Sequence, residues 1–522
     1  MKKIFLALFA SLLVLAQDKS APKPPKLVVF IAVDQFRYDY LLKFRKDYNS
    51  GLARLLTQGA VFTNGHYQHF PTVTAVGHST MLTGATPNIS GIIANEWFDR
   101  DIKVNKEVTS VEVVDDKVTR LGSDTKGASS PHRLLVSTLG DEMKMSGKWQ
   151  SKVIGISIKD RSAIMPSGRM ADAAYWFDID TGNFVSSTWY FNALPGWVSQ
   201  LNGARPADKY AGQQWRPLEG GEVFKTMATV KDKAFYTSIE STPFGNEIIE
   251  EFTERAIVEE KLGQRGTLDL LTVSFSANDY VGHNVGPDDP QVRDMAIRTD
   301  RIIGKLFNFL DGKLGKGTYI VGFTADHGVA PVPEVNTARR MPGGRIHGDE
   351  VKKVVNARLT ELYGEGNWTP FKNGDMIYID EGLAAARKVN MVDARREAAA
   401  AVRRMPHVMR VFTSDQIVEG RLVQDRIGMR VANGFFAERS PDLTIVLEPY
   451  WIFSTKITGT THFSPFNYDT HVPMILMGAP FKSGNYHSPA AVNDFAPTLA
   501  TVLGVEIPSG SVGRILSEAL VN

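Results

Sequence analysis

The chain has 522 residues, 43% of them hydrophobic, and a formal charge of +2 that would be neutral without Lys2 and Lys3. That length and apolar content supply a sizeable core, and the near-neutral balance excludes the basic footprint of a nucleic-acid-binding domain. With no cysteine, there is no thiolate nucleophile, no cysteine metal ligand, no disulfide and no attachment point for a lipoprotein anchor.

Residues 1–16, "MKKIFLALFASLLVLA", read as a signal peptide. Two lysines precede an apolar run too short to cross a bilayer comfortably, and Val14 and Ala16 suit cleavage after Ala16. The expectation is an exported protein, most simply periplasmic, with no membrane anchor once cleaved. Residues 17–26 are a polar, proline-rich leader. The first stretch of the core, 27–170, opens on "LVVFIAV", a continuous apolar run of the kind that forms a strand buried on both faces, ending at Asp34. "VIGISI" is a second such run and ends before Lys159. Residues 171–240 are rich in Trp, Tyr, Gly and Pro and read as a cap insertion. The core resumes over 241–339 with "LLTVSFS" and "YIVGFT", which stop just short of Asp279 and Asp326. A second cap insertion spans 340–455, and the last stretch of the core, 456–522, holds "VPMILMG". Buried strands alternating with helical patterns predict an α/β fold with a mostly parallel central sheet flanked by helices. Ligands in such sheets bind beyond the carboxyl ends of the strands.

Those ends are where the acids and imidazoles collect: Asp34 in "VDQF", Asp279 and His283 in "SANDYVGHNVGP", Asp326 and His327 in "TADHG", then His462 in "GTTHFSP". Mixed carboxylate and imidazole ligands suit zinc and similar ions. Six exceed one tetrahedral ion and match two ions sharing a site, about 3.5–4 Å apart in two-metal hydrolases. Between the first strand and the rest lies "FPTVTAVGHSTMLTG", in which Thr74 stands at the start of a helical pattern. A helix N-terminus favours an anion such as a phosphoryl group. A threonine hydroxyl attacks only when a base or metal lowers its pKa, and a zinc ion on Asp34, Asp326 and His327 could do so. The competing reading is a helix-capping threonine.

Together these motifs, with "SIKDRSAIMPSG", "AAYWFD" and "DFAPTLATVLGVEIPSG", resemble the alkaline phosphatase superfamily. The resemblance covers nearly the whole chain after the leader and is closest to single-chain bacterial alkaline phosphatases with a threonine nucleophile, relatives of the nucleotide pyrophosphatase/phosphodiesterases. It implies a zinc-dependent phosphatase acting on small-molecule phosphate monoesters through a phosphothreonine intermediate, with Thr74 as nucleophile. It implies one zinc on Asp34, Asp326 and His327 and a second on Asp279, His283 and His462. Asn95 would contact a non-bridging phosphoryl oxygen. Lys159 and Arg161 match a cationic pair that marks the monoesterase branch, and an extended "KDR" segment would leave both cations on one side. Phe463 follows His462 where the family pattern leads one to expect glycine, which predicts narrower access to that zinc.

Other motifs read as structural. "SSPHR" (Ser129 to Arg133) fits a sulfatase pattern but stands away from the nucleophile's place. Asp288 and Asp289, and His347 with Asp349 and Glu350, read as helix caps, and His78 and His471 as structural histidines. The runner-up function is a phosphodiesterase or nucleotide pyrophosphatase, and a third reading is a non-catalytic phosphate-binding protein. Nothing in the sequence sets an oligomeric state.

Overall fold

Seven consecutive apolar residues form strand β1 (Leu27–Val33), every one of them buried. It lies at the centre of a ten-stranded sheet whose other members are β2 (Ala60–Phe62), β3 (Arg120–Leu121), β4 (Val153–Ser157), β5 (Ala173–Asp178), β6 (Asn183–Ser187), β7 (Asp269–Phe275), β8 (Tyr319–Thr324), β9 (Met474–Met477) and β10 (Gly484–Tyr486). Their spatial order is β10-β2-β9-β8-β1-β7-β4-β5-β6-β3. The five central strands from β8 to β5 run parallel. β9, the "VPMILMG" run, turns antiparallel against β8, and β6 does so against β5. The computed structural model describes residues 24–521 except 105–106, 112, 126 and 372–375. The expected signal peptide therefore lies outside the described residues, and no helix among them is long and apolar enough to cross a membrane.

Register brings the strand ends to one level. Ala32 pairs with Thr324 on one side and Ser274 on the other, and Ser274 pairs with Ser157. Two residues further along each chain stand Asp34, Asp326, Ser276 and Lys159. The helices that start there are α1 (Thr74–Thr83), α2 (Asp160–Ser167) and α3 (Ala277–Val285).

The boundary expected at 171 moves. β5 and β6 fall inside the stretch read as a cap and extend the central sheet, with Tyr175, Trp176, Phe177 and Phe184 buried. Aromatic side chains suit a pleated surface as well as they suit a cap, so composition could not separate the two. The later insertion has its own three-stranded antiparallel sheet (Met376–Ile377, Leu443–Leu447, Val408–Thr413) and its own apolar cluster around Val351, Leu359, Trp368 and Ile445. Helix α4 (Arg426–Gly434) belongs to it.

Helix α1 is buried along its whole length and passes over the Asp326 backbone at Gly77, where a Cβ would fall 2.2 Å from the Asp326 carbonyl oxygen. Gly77→Ala therefore has no room and should cost about 1–3 kcal/mol. An unfolding midpoint equal to that of the wild type would show that the helix does not bear on Asp326 in this way.

Candidate active site

Asp34, Asp326 and His327 meet at the ends of β1 and β8, all wholly buried. Asp326 Oδ1 accepts the Gln35 and His327 backbone N–H groups, each at 3.0 Å. Its Oδ2 lies 3.3 Å from His327 Nε2 and takes no hydrogen bond, nor does Asp34 Oδ1. Asp279 stands in the first turn of α3. Its Oδ1 accepts Gln35 Nε2 at 2.6 Å and lies 3.1 Å from His283 Nε2 and 3.9 Å from His462 Nε2.

The three expected histidine ligands share one arrangement. His327 Nδ1 pairs with the Gly328 carbonyl at 2.9 Å, His283 Nδ1 with Thr460 at 2.9 Å and His462 Nδ1 with Thr72 at 2.6 Å. A carbonyl can only accept, so each Nδ1 carries a proton and each Nε2 is the nitrogen turned toward the carboxylates. His78 differs: both its nitrogens are engaged, with the Thr74 carbonyl at 2.9 Å and Ser274 Oγ at 2.8 Å. His471 is likewise spent on the Thr63 carbonyl and stacks on Tyr38 and His66.

Two groups of ligand atoms result, each within 4.8 Å: Asp34, Asp326 and His327, and Asp279, His327 and His462. The first is the expected set. In the second His327 stands where His283 was expected, because its ring stacks on that of His462 at 3.6 Å, whereas the His283 ring is 5.0 Å away. His283 still reaches Asp279. Buried carboxylate oxygens without donors, ringed by imidazole lone pairs, fit bound metal cations.

The electrostatics agree. Burial and the neighbouring charge of Asp326 push the Asp34 carboxyl up to about 7. Burial alone would raise Asp279 too, but His283 and Lys159 hold it well below the usual range. Burial lowers His327 to about 4 and, with the other two imidazoles, takes His462 well below its ordinary value, so both are neutral near pH 7. Burial opposes charge on His283, but Asp279 outweighs it and raises the imidazole.

Thr74 is the first residue of α1 and makes no cap bond; Val73 is the N-cap. The capping reading therefore fails for Thr74. Its Oγ1, almost wholly buried, sits 3.5 Å from His327 Nε2. Asn95 Oδ1 accepts the Ala75 N–H at 2.8 Å, which fixes the orientation of its amide and makes the nitrogen its donor end.

Lys159 and Arg161 do not lie in an extended segment. The helix begins at Asp160, which makes Lys159 its N-cap and puts Arg161 in its first turn. Lys159 Nζ bridges the two halves of the site, 2.7 Å from Asp34 Oδ2 and 2.6 Å from Asp279 Oδ2. Burial works against this ammonium, but Asp279 and Asp34 together raise its pKa above the ordinary value. The Tyr280 ring lies 5.0 Å from it. Asp160 accepts Ser129 Oγ at 2.7 Å, so the sulfatase-like "SSPHR" serves to brace this turn. Phe463 adopts φ 118°, a conformation that favours glycine, and its ring packs edge-on against Phe70 at 5.3 Å. Gln35 escaped the sequence reading. Its φ of 59° lets the backbone serve Asp326 while the side chain serves Asp279, and a Cβ on Gly282 would lie 1.8 Å from its Oε1.

The chain is similar to known proteins over nearly its whole length. The family described as type I phosphodiesterase / nucleotide pyrophosphatase matches residues 28–472. The chain is 34% identical to alkaline phosphatase PafA of Elizabethkingia meningoseptica, over 97% of this chain and 96% of that one. It is 36% identical to alkaline phosphatase PhoV of Synechococcus elongatus, over 95% and 93%. The crystal structure of wild-type PafA superposes with a TM-score of 0.89 at 33% identity, covering 95% of this chain and 99% of that one.

A carboxyl near neutrality that must ionise to ligate makes metal uptake proton-linked. Asp34 holds its proton below about 7 and has lost it above, so uptake should release more protons at about pH 6 than at about pH 8.5, and affinity should fall as pH falls. Titration calorimetry in buffers of different ionisation enthalpy reads this directly. Equal release at both pH values would contradict it.

Proposed function

The chain belongs to the type I phosphodiesterase / nucleotide pyrophosphatase family, and on that premise we propose that it is an alkaline phosphatase, a metal-dependent hydrolase of small phosphate monoesters with Thr74 as its nucleophile. The observation that carries this reading is the Thr74 hydroxyl, held at a helix N-terminus beside His327 and facing the acid and imidazole cluster. The likeness to PafA and PhoV over almost the whole chain supports the monoester as substrate.

Thr74 Oγ1 attacks phosphorus, the ester P–O bond breaks on the opposite side, and water then hydrolyses the phosphothreonine to release phosphate. The N-terminal amides of α1 favour the phosphoryl charge, and the Asn95 amide donates to a non-bridging oxygen. Asp34, Asp326 and His327 would hold one zinc ion and Asp279, His283 and His462 a second, which would supply charge to lower the pKa of the Thr74 hydroxyl and to neutralise the leaving oxygen. Export fits the signal-like residues 1–16 and a role in freeing phosphate from a range of esters.

The family description favours a second reading, a phosphodiesterase. The two differ in phosphoryl charge: a monoester dianion carries one more negative oxygen than a diester, and Lys159 with Arg161 supplies cations to meet it.

Thr74→Ala should lose at least roughly 10³-fold in kcat and remain folded. Near-normal turnover would remove Thr74 from the mechanism. Replacing both Lys159 and Arg161 by Ala should cut monoester kcat/KM by about two orders of magnitude or more and diester kcat/KM far less. An unchanged ratio of the two would advance the diesterase.

A further inference from the structure

Helix α4 of the later insertion crosses two stretches that frame the site: the run leading to Thr74 and the loop after His462. Arg430, only 7% exposed, sits at the crossing. Its Nε donates to the Tyr67 carbonyl at 3.1 Å and its Nη1 to the Pro465 carbonyl. Its own carbonyl accepts the Phe70 N–H at 3.0 Å. Asn433 donates to the Gln68 carbonyl at 2.7 Å, and a Cβ on Gly434 would fall 1.6 Å from the Phe70 carbonyl oxygen.

No carboxylate pairs with this guanidinium among the described residues. Burial, with Arg426 nearby, lowers its pKa to about 10. Burying a cation without a counter-ion is costly. What the cation obtains is two backbone carbonyls, one from each stretch. The same two stretches are joined again nearer the chemistry, where His462 Nδ1 donates to the Thr72 carbonyl at 2.6 Å and Thr72 Oγ1 to the Ser464 carbonyl at 3.1 Å.

We propose that Arg430 is a positioning residue: through its two-pronged guanidinium the cap sets the separation between the nucleophile Thr74 and the imidazole of His462. The inference rests on the reading of the site given above. A planar fork spans two carbonyls that one lysine ammonium cannot hold in the same geometry. Misplacing reacting groups by about 1 Å costs on the order of 100-fold in rate.

The test uses the full-length enzyme with Arg430→Lys, Arg430→Met and, as a control on the same helix, Arg426→Ala. Circular dichroism and melting establish folding; if the Met variant does not fold, Lys decides. Expected for Arg430→Lys is a kcat lower by about 10–100-fold with KM within about three-fold. Inhibition by vanadate, a mimic of pentacoordinate phosphorus, should weaken in step with kcat, while inhibition by inorganic phosphate should move little. Arg426→Ala should match the wild type. A folded Arg430→Lys with kcat within about two-fold of wild type, or a lower melting temperature with unchanged kcat and vanadate affinity, would overturn the proposal. A wild-type enzyme inactive on monoesters would instead overturn the proposed function.

Discussion

Three carboxylates, Asp34, Asp279 and Asp326, share one buried corner at the ends of β1, β7 and β8. Like charges at such distances resist joint ionisation, and burial adds to the resistance. The effect is visible in Asp34, whose pKa reaches about 7. Positive charge is what makes the corner tolerable, and Lys159 supplies one unit by bridging Asp34 and Asp279. Asp34 Oδ1 and Asp326 Oδ2, which take no hydrogen bond, mark where more is needed. The surrounding imidazoles are turned by backbone carbonyls at Nδ1 so that each directs its Nε2 toward the acids.

Thr74, the proposed nucleophile, is placed by the same constraint. Gly77 lets α1 lie on the Asp326 backbone, which brings Thr74 at the helix start to His327. Gln35, in a left-handed conformation, fastens Asp326 and Asp279 to each other through one residue. From the other side the cap reaches the lead-in to Thr74 and the loop after His462 through Arg430. Core and cap thus meet on the two segments that lead to Thr74 and follow His462.

The parallel strands were legible because a strand buried on both faces needs an unbroken apolar run, as in "LVVFIAV" and "LLTVSF". The acids were legible because they follow those runs directly, where the architecture places ligands. The insertion boundary at 171 was not, since aromatic residues serve strands and caps alike. The shape of "KDR" was missed because a lysine is an unusual N-cap, and the local pattern did not announce that the helix starts at Asp160. Gln35 and Arg430 left no trace because their roles are bonds to distant partners, made by residue types common in any sequence. Phe463 was singled out on the family pattern, and its φ of 118° explains the expectation of glycine, while its ring serves packing against Phe70.

Two metal ions are what we propose the buried acid and imidazole cluster holds. Elemental analysis of protein purified without added metal, dialysed against weak chelator and assayed in parallel, tests it most directly. About two zinc equivalents per chain are expected, with activity lost as they are removed and regained on adding zinc. A single equivalent at full activity, or full activity after both are stripped by strong chelator, would contradict it.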